Sequence, residues 1–362
     1  MGLVPESEIP AEQPAQKRKR RWFRPEIRYT LSAIVLLFVF EYLLLPEFAS
    51  ARHNVHVLAD ANVELMILAI LLEVGALLAY TELSRTVFAP DPPGHWTMLR
   101  INMSGLAVSH VVPGGTAAGG AVGYRLLSEQ GVPGSTAAFG MATQGIGSAV
   151  VLNIIFWLCL LISIPINGVN RLYGYAAILG VLLLAAIGGT LILLTRGQRQ
   201  ADGWLRRIAD HIPFLTPDRV SDLLGQIVDR LTIMISNRKL LGWALFWAAA
   251  NWLLDAACLW VFLLAFGHTV PPIDLLVAYG LANILAALPI TPGGLGVVEF
   301  FLSGALVGFG VPASIAYIAV ISWRLVNFWL PIPLGGLSYL SLRLATRRRS
   351  RIPRIDGPSP SS

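Results

Sequence analysis

The chain has 362 residues, of which 55% are hydrophobic and only 13% charged, with a mean hydropathy of +0.65. A soluble domain carries about 25% charged residues, so the charge here is too sparse to coat a water-facing surface, and lipid must cover much of the molecule. The net charge of +6 is compatible with nucleic acid, but the placement of the 27 Lys and Arg excludes that partner: seven lie in 17–28, eight in 196–239 and six in 343–354, the flanks and loops of apolar segments, where basic residues set membrane orientation and meet anionic headgroups.

Residues 1–28 are polar and basic and read as a disordered cytoplasmic arm. The apolar run that follows ends near Ala49-Ser50-Ala51, a small-residue pattern compatible with signal cleavage. Glu41 and Glu47 interrupt that pattern, so the run is expected as a retained first span, 29–45, followed by a second, 61–83. Each approaches the ~20 residues that cross a ~30 Å hydrocarbon core. Next comes a short apolar stretch, 97–112, that ends at Pro113-Gly114-Gly115 and continues through Gly119-Gly120 and Arg125. Long spans are predicted at 135–164 and 172–194, an amphipathic cytoplasmic loop at 195–239, and a further span at 241–266. The broken pattern then returns: 273–288, Pro292-Gly293-Gly294, and an apolar helix to Gly308. A last span runs from 313 to 343, interrupted by Pro331 and Pro333, and the tail 344–362 is basic and then rich in Pro and Ser.

The two broken patterns form a repeat. Pro113-Gly114-Gly115 precedes Pro292-Gly293-Gly294 by 179 positions, and Gly131-Val132-Pro133 precedes Gly310-Val311-Pro312 by the same 179. Leu127/Leu306, Ser135/Ser314 and Ala137/Ala316 keep that register, so the repeat halves cover about 97–164 and 273–343. With the arm, the loop near Arg85, the 195–239 loop and the tail all cytoplasmic, the number of crossings between loops must be even. The 97–132 segment is then expected to dip in from the cytoplasm and return, and 273–310 to dip in from the opposite face. The fold class expected is an all-α polytopic membrane protein, with about six full spans and two oppositely oriented re-entrant helical hairpins in a transmembrane domain at 29–343. A second topology lets each half of each hairpin cross fully.

Backbone that is not helical at membrane depth survives only where protein or a watery cavity satisfies it. The Pro-Gly-Gly breaks at Pro113, Gly114, Gly115, Pro292, Gly293 and Gly294 are therefore expected to line a cavity, whereas Gly140, Gly145 and Gly147 are expected to serve close helix packing. An intramembrane charge costs at least ~2.5–3.5 kcal/mol at a helix centre, so those present have a purpose. Arg125, Glu299, Arg324 and its neighbour Asn327 are the substrate-binding residues expected. Two readings of Glu299 and Arg324 stand together, a structural ion pair and a substrate site. Glu73 and Asp255 lie mid-span and have proton coupling or a neutral hydrogen-bonded state open to them. Asn153, Asn251 and Asn283 read as interhelical glue, and Cys159 and Cys258 as packing residues. No metal spacing, nucleophile elbow or phosphate loop is present, so no catalytic residue, metal or cofactor is expected.

The stretches Val112-Pro113-Gly114-Gly115 to Tyr124-Arg125, and Pro292-Gly293-Gly294-Leu295-Gly296-Val297-Val298-Glu299 with Arg324 and Pro331 downstream, resemble the lysylphosphatidylglycerol synthase transmembrane-region family over about 30–345. That resemblance implies a flippase-like membrane domain, here without the soluble aminoacyl-transfer domain of the full synthases. The function expected is movement of a phospho- or glycolipid across the cytoplasmic membrane, with both termini cytoplasmic. The partners expected are that lipid, anionic headgroups at the basic termini, and a lipid synthase or a second copy of the chain. A membrane-embedded lipid-modifying transferase and a non-catalytic scaffold for a partner synthase are the alternatives.

Overall fold

The computed structural model describes residues 61–112, 115–167, 237–286 and 292–349, with positions 178, 181 and 185, all within one compact unit covering 47–362. The expected span 29–45, most of 172–194, the amphipathic loop as far as 236, the basic arm and the tail beyond 349 lie outside the described residues.

Helix α1 (Val63–Val87) starts at Asn62, whose Oδ1 accepts from the Glu64 and Leu65 amides at 3.0 and 3.2 Å, satisfying two of the four orphan donors of a helix start. Four more elements follow in chain order: α2 (His95–Val111), α3 (Gly115–Glu129), the long α4 (Gly134–Asn167) and α5 (Arg238–Ala265). Helices α1 and α5 run antiparallel, because the Asn62 amide at the start of one donates to the Ala265 carbonyl at the end of the other, 3.0 Å. Small residues face that seam: Ala69, Ala76 and Ala79 are buried on α1, and Ala244, Ala248 and Ala256 on α5. Backbones approach closely where side chains are this short.

Helices α2 and α3 form a hairpin around positions 112–115. A Cβ on Gly119 would overlap the Gly105 carbonyl, so the two arms touch backbone to backbone. The outer ends of the hairpin return to one place: 88–93 and 130–136 line a single groove of about 410 Å³. A second hairpin follows. Helix α6 (Pro272–Ala286) and α7 (Val297–Gly308) pack together, joined by a tight turn at Pro292–Gly294. The chain ends in α8 (Ala313–Arg324), a π-helical turn (Leu325–Trp329) and α9 (Pro331–Arg349). The sequence places an interruption at Pro331, and the structure resolves it by widening. Proline has no N–H to give, and the ladder loosens to an i→i−5 bond from Leu330 N to Leu325 O, 2.9 Å, immediately before it.

The two hairpin exits have the same local geometry 179 residues apart. Gly131 and Gly310 sit at φ of 89° and 91°. Val132 N donates to Leu127 O at 3.2 Å, and Val311 N to Leu306 O at 3.1 Å, the 6→1 bond of a Schellman cap, which needs a left-handed residue that only glycine adopts cheaply. Leu127 and Leu306 are both buried beneath their caps.

Four described helical stretches are long and apolar enough to cross a bilayer: Val63–Val87, Gly134–Ser163, Arg238–Ala265 and Ala313–Ala345. Their outer faces carry exposed apolar side chains such as Ile67, Leu71, Leu161 and Leu337, and the inner faces close on a core containing Leu259, Phe262, Tyr279, Leu302 and Trp323. Such a surface belongs in lipid, and the chain is a helical membrane protein.

Two packing expectations need correction. Gly140 does admit a neighbour, the Phe88 ring, but nothing lies within 4 Å of a Cβ built on Gly145 or Gly147, because α4 stands clear of its neighbours there. Asn153 and Asn283 do not donate across helices: their amides return to the carbonyl four residues back, Ala149 at 3.1 Å and Tyr279 at 3.0 Å, a local partner always within reach on a helix.

Candidate functional site

The inner elements deliver polar side chains to the protein centre. Glu73 comes from the middle of α1, Asp255 from the middle of α5, Tyr279 from α6, Glu299 from the first turn of α7, and Trp323 and Arg324 from the end of α8. The π-helical turn adds Asn327, and the tip of α2 adds His110. Arg324 and Asn327, three residues apart on one helix face, both point inward.

Arg324 is 4% exposed and fully engaged. Its Nε donates to Glu299 Oε1 at 2.5 Å, and its Nη2 donates to the Gly293 carbonyl at 3.2 Å. Its guanidinium carbon lies 4.3 Å from the centre of the Phe328 ring. The other face of this group is organised by His110, which stacks on Phe328 at 4.1 Å and donates from Nδ1 to the Phe328 carbonyl at 2.9 Å. Gly293 has a φ of 57°, and a Cβ there would overlap the Phe328 ring. Glycine is therefore required twice over, by backbone conformation and by space. Glu299 lies in the first turn of a helix, where the macrodipole favours a carboxylate, yet its Oε2 is buried with no hydrogen-bond partner among the described residues.

A second group lies beside the first. Asp255 accepts from Tyr279 Oη and from Trp323 Nε1, both at 2.6 Å, and from Asn327 Nδ2 at 3.1 Å. The same Asn327 nitrogen is 3.3 Å from Glu73 Oε1, so one amide bridges two carboxyl groups. Glu73 Oε2 is buried without a hydrogen-bond partner among the described residues. The centre thus gathers three carboxyls, Glu73, Asp255 and Glu299, against one arginine, in a setting where charge is expensive.

The helix breaks meet at this place. A Cβ built on Gly115 would stand 3.6 Å from the Gly293 nitrogen, so the tips of the two hairpins lie side by side. Gly294, at φ 71°, packs against Ala286, and Pro292 opens the turn. Pro113 and Gly114 lie outside the described residues. Arg125 stands apart from the others. Its Nε donates to Glu129 at 2.9 Å, one helical turn along α3, and its side chain is 59% exposed.

Sequence reasoning missed Tyr279, Trp323, His110 and Phe328. Trp323 carried a usable signal, adjacency to a buried arginine. An aromatic residue with a polar handle in an apolar run otherwise reads as core.

Residues 27–335 match the family model described as the lysylphosphatidylglycerol synthase TM region. Similar curated proteins are archaeal and carry the name UPF0104 membrane protein. One from Methanothermobacter thermautotrophicus is 26% identical over 187 residues, 49% of this chain and 53% of that protein. One from Pyrococcus horikoshii is 23% identical over 133 residues, 36% of this chain and 40% of that protein. One from Methanocaldococcus jannaschii is 27% identical over 106 residues, 28% and 32% of the two chains. The matched stretches cover about half or less of these relatives.

Proposed function

The chain belongs to the lysylphosphatidylglycerol synthase transmembrane-region family, and on that premise we propose that it moves a phospho- or glycolipid between the leaflets of the cytoplasmic membrane. The observation that carries this reading is the juxtaposition of two helix breaks, Gly115 beside Gly293, at a buried charged centre. Broken helices that meet at mid-protein are the architecture by which many transporters build a site reachable from either side. We read α2–α3 and α6–α7 as re-entrant hairpins of an inverted repeat, entering from opposite faces. The outer ends of the first hairpin line one groove, and the exits of both carry the same glycine cap. Both termini are then cytoplasmic.

In this conformation the Arg324–Glu299 pair acts as a latch. It ties the turn of the second hairpin to the last span through the Gly293 carbonyl and the Glu299 carboxylate. A headgroup phosphate presents two oxygens at the spacing that a planar guanidinium holds with two parallel bonds, so it can replace Glu299 as the partner of Arg324. That exchange would free the hairpin to rock while the acyl chains remain in lipid. Glu73 and Asp255 supply a place for a proton. Like charges bridged by one amide in a low dielectric repel strongly, and a proton between them removes the repulsion. Tyr279, Trp323, Arg324 and Cys258 are the groups facing that pair. Arg125, on the surface at the exit of the first hairpin, meets anionic headgroups.

The test is reconstitution of the purified protein into liposomes carrying labelled lipids. Transbilayer movement several times faster than in protein-free liposomes is expected for at least one headgroup class. Movement no faster across neutral, anionic and zwitterionic lipids would overturn the transport reading, and a new lipid species appearing in the same vesicles would favour a transferase.

A further inference from the structure

A cavity of about 440 Å³ lies away from the charged centre, between α1, the two arms of the first hairpin, and α4. Its size falls within the roughly 300–1,000 Å³ of small-molecule sites. Among the described residues no charged side chain lines it; the polar groups are Tyr80, Asn102, Ser109, Thr116 and Gln144, set among glycines and apolar residues. The cavity opens between α3 and α4, where Thr116 and Gly145 are exposed and flanked by the exposed apolar side chains of Tyr124 and Ile146.

The polar wall is held in place. Asn102 Nδ2 and Gln144 Nε2 both donate to Ser84 Oγ, at 2.8 and 2.7 Å, and that hydroxyl donates to the Tyr80 carbonyl at 3.0 Å. Each carboxamide is anchored by its nitrogen, leaving its oxygen as an acceptor. The Tyr80 and Thr116 hydroxyls, which donate and accept, make no hydrogen bond to a described residue.

We propose that this cavity binds the uncharged, hydroxyl-bearing headgroup of a neutral glycolipid, with the acyl chains left in the bilayer beyond α3 and α4. The assignment rests on the transport reading and adds to it a separate site for an uncharged headgroup, apart from the phosphate that Arg324 would meet. Hydroxyl groups of a sugar donate and accept in alternation, which matches anchored amide oxygens beside free hydroxyls. A charged headgroup would be desolvated here with no opposite charge to meet it, the costly case for a buried ion. The glycines give the site its room. Nothing lies within 4 Å of a Cβ built on Gly120 or Gly145, and both line the cavity. A side chain added there fills the cavity without displacing the protein.

Gly147 supplies a matched control, because it also has open space around an added Cβ but does not line the cavity. The protein is purified in a detergent without a sugar headgroup, and retention of monoglucosyl diacylglycerol, phosphatidylglycerol and lysylphosphatidylglycerol is followed by native mass spectrometry. The glucolipid is expected to bind wild type and Gly147→Leu alike, and Gly145→Leu and Gly120→Val about tenfold or more weakly, with the charged lipids unaffected by any of the three. Equal glucolipid retention in all variants, or loss of a charged lipid in Gly145→Leu, would overturn the assignment. Equally tight binding of free methyl glucoside would overturn the lipid source. Glucolipid binding that Gly145→Leu abolishes, together with silent liposomes, would remove the transport reading and leave the site; transport unchanged in Gly145→Leu would do the reverse.

Discussion

Replacing Arg324 by Met leaves Glu299 buried, at 6% exposure, with no cation to face it. Removing one partner of a buried pair costs about 3–5 kcal/mol, because the other charge is stranded. The lost bond to the Gly293 carbonyl adds about 1 kcal/mol. Arg324→Met should therefore lose about 4–6 kcal/mol in reversible unfolding from mixed micelles. The double variant Arg324→Met/Glu299→Leu should recover most of the loss, since apolar replacement of a whole buried pair is often neutral. A loss below about 1 kcal/mol, or a double variant as unstable as the single one, would refute the reasoning.

Gly293→Ala places a Cβ into the Phe328 ring at a φ of 57°, and should destabilise the protein by about 1–2 kcal/mol from the backbone alone, with the clash in addition, read as a lower melting temperature. Asp255→Asn should be more damaging than Glu73→Gln. Asp255 accepts from three donors and Glu73 from one, so neutralising 255 weakens three charge-assisted bonds against one; the ranking is read by unfolding in micelles. In liposomes, Glu73→Gln should retain lipid movement but flatten its dependence on pH, whereas a pH profile identical to wild type would dissociate the pair from coupling. Arg125→Ala should change stability by less than about 1 kcal/mol, because its partner is an exposed i,i+4 glutamate.

The membrane class, the hairpin pattern and most central residues were legible because their signals are local. Gly131 and Gly310 are fixed by the cap each must form, and a constant offset of 179 exposes the duplication. Arg324, Glu299, Glu73 and Asp255 stood out because charge is rare in apolar runs. Their partners were not legible. The sequence offers Arg125 and Arg324 as equivalents, yet one pairs on the surface with Glu129 and the other is sealed against Glu299, since helix azimuth and depth depend on tertiary packing. The π-helical turn that carries Asn327, the partner of both Glu73 and Asp255, has no periodic signature in 325–329. The Ser84–Asn102–Gln144 network joins three helices through residues that, taken singly, look like ordinary polar side chains in apolar segments.

The most direct measurement is the sidedness of two equivalent positions, Ser135 and Ser314, both exposed just beyond the hairpin exits. In a background with Cys159 and Cys258 replaced by Ala, each is changed to Cys and treated with a membrane-impermeant thiol reagent in sealed vesicles of known orientation. Ser135→Cys should react only from the cytoplasmic face and Ser314→Cys only from the opposite face. Reaction of both from one face would contradict the opposed hairpins on which the transport reading stands.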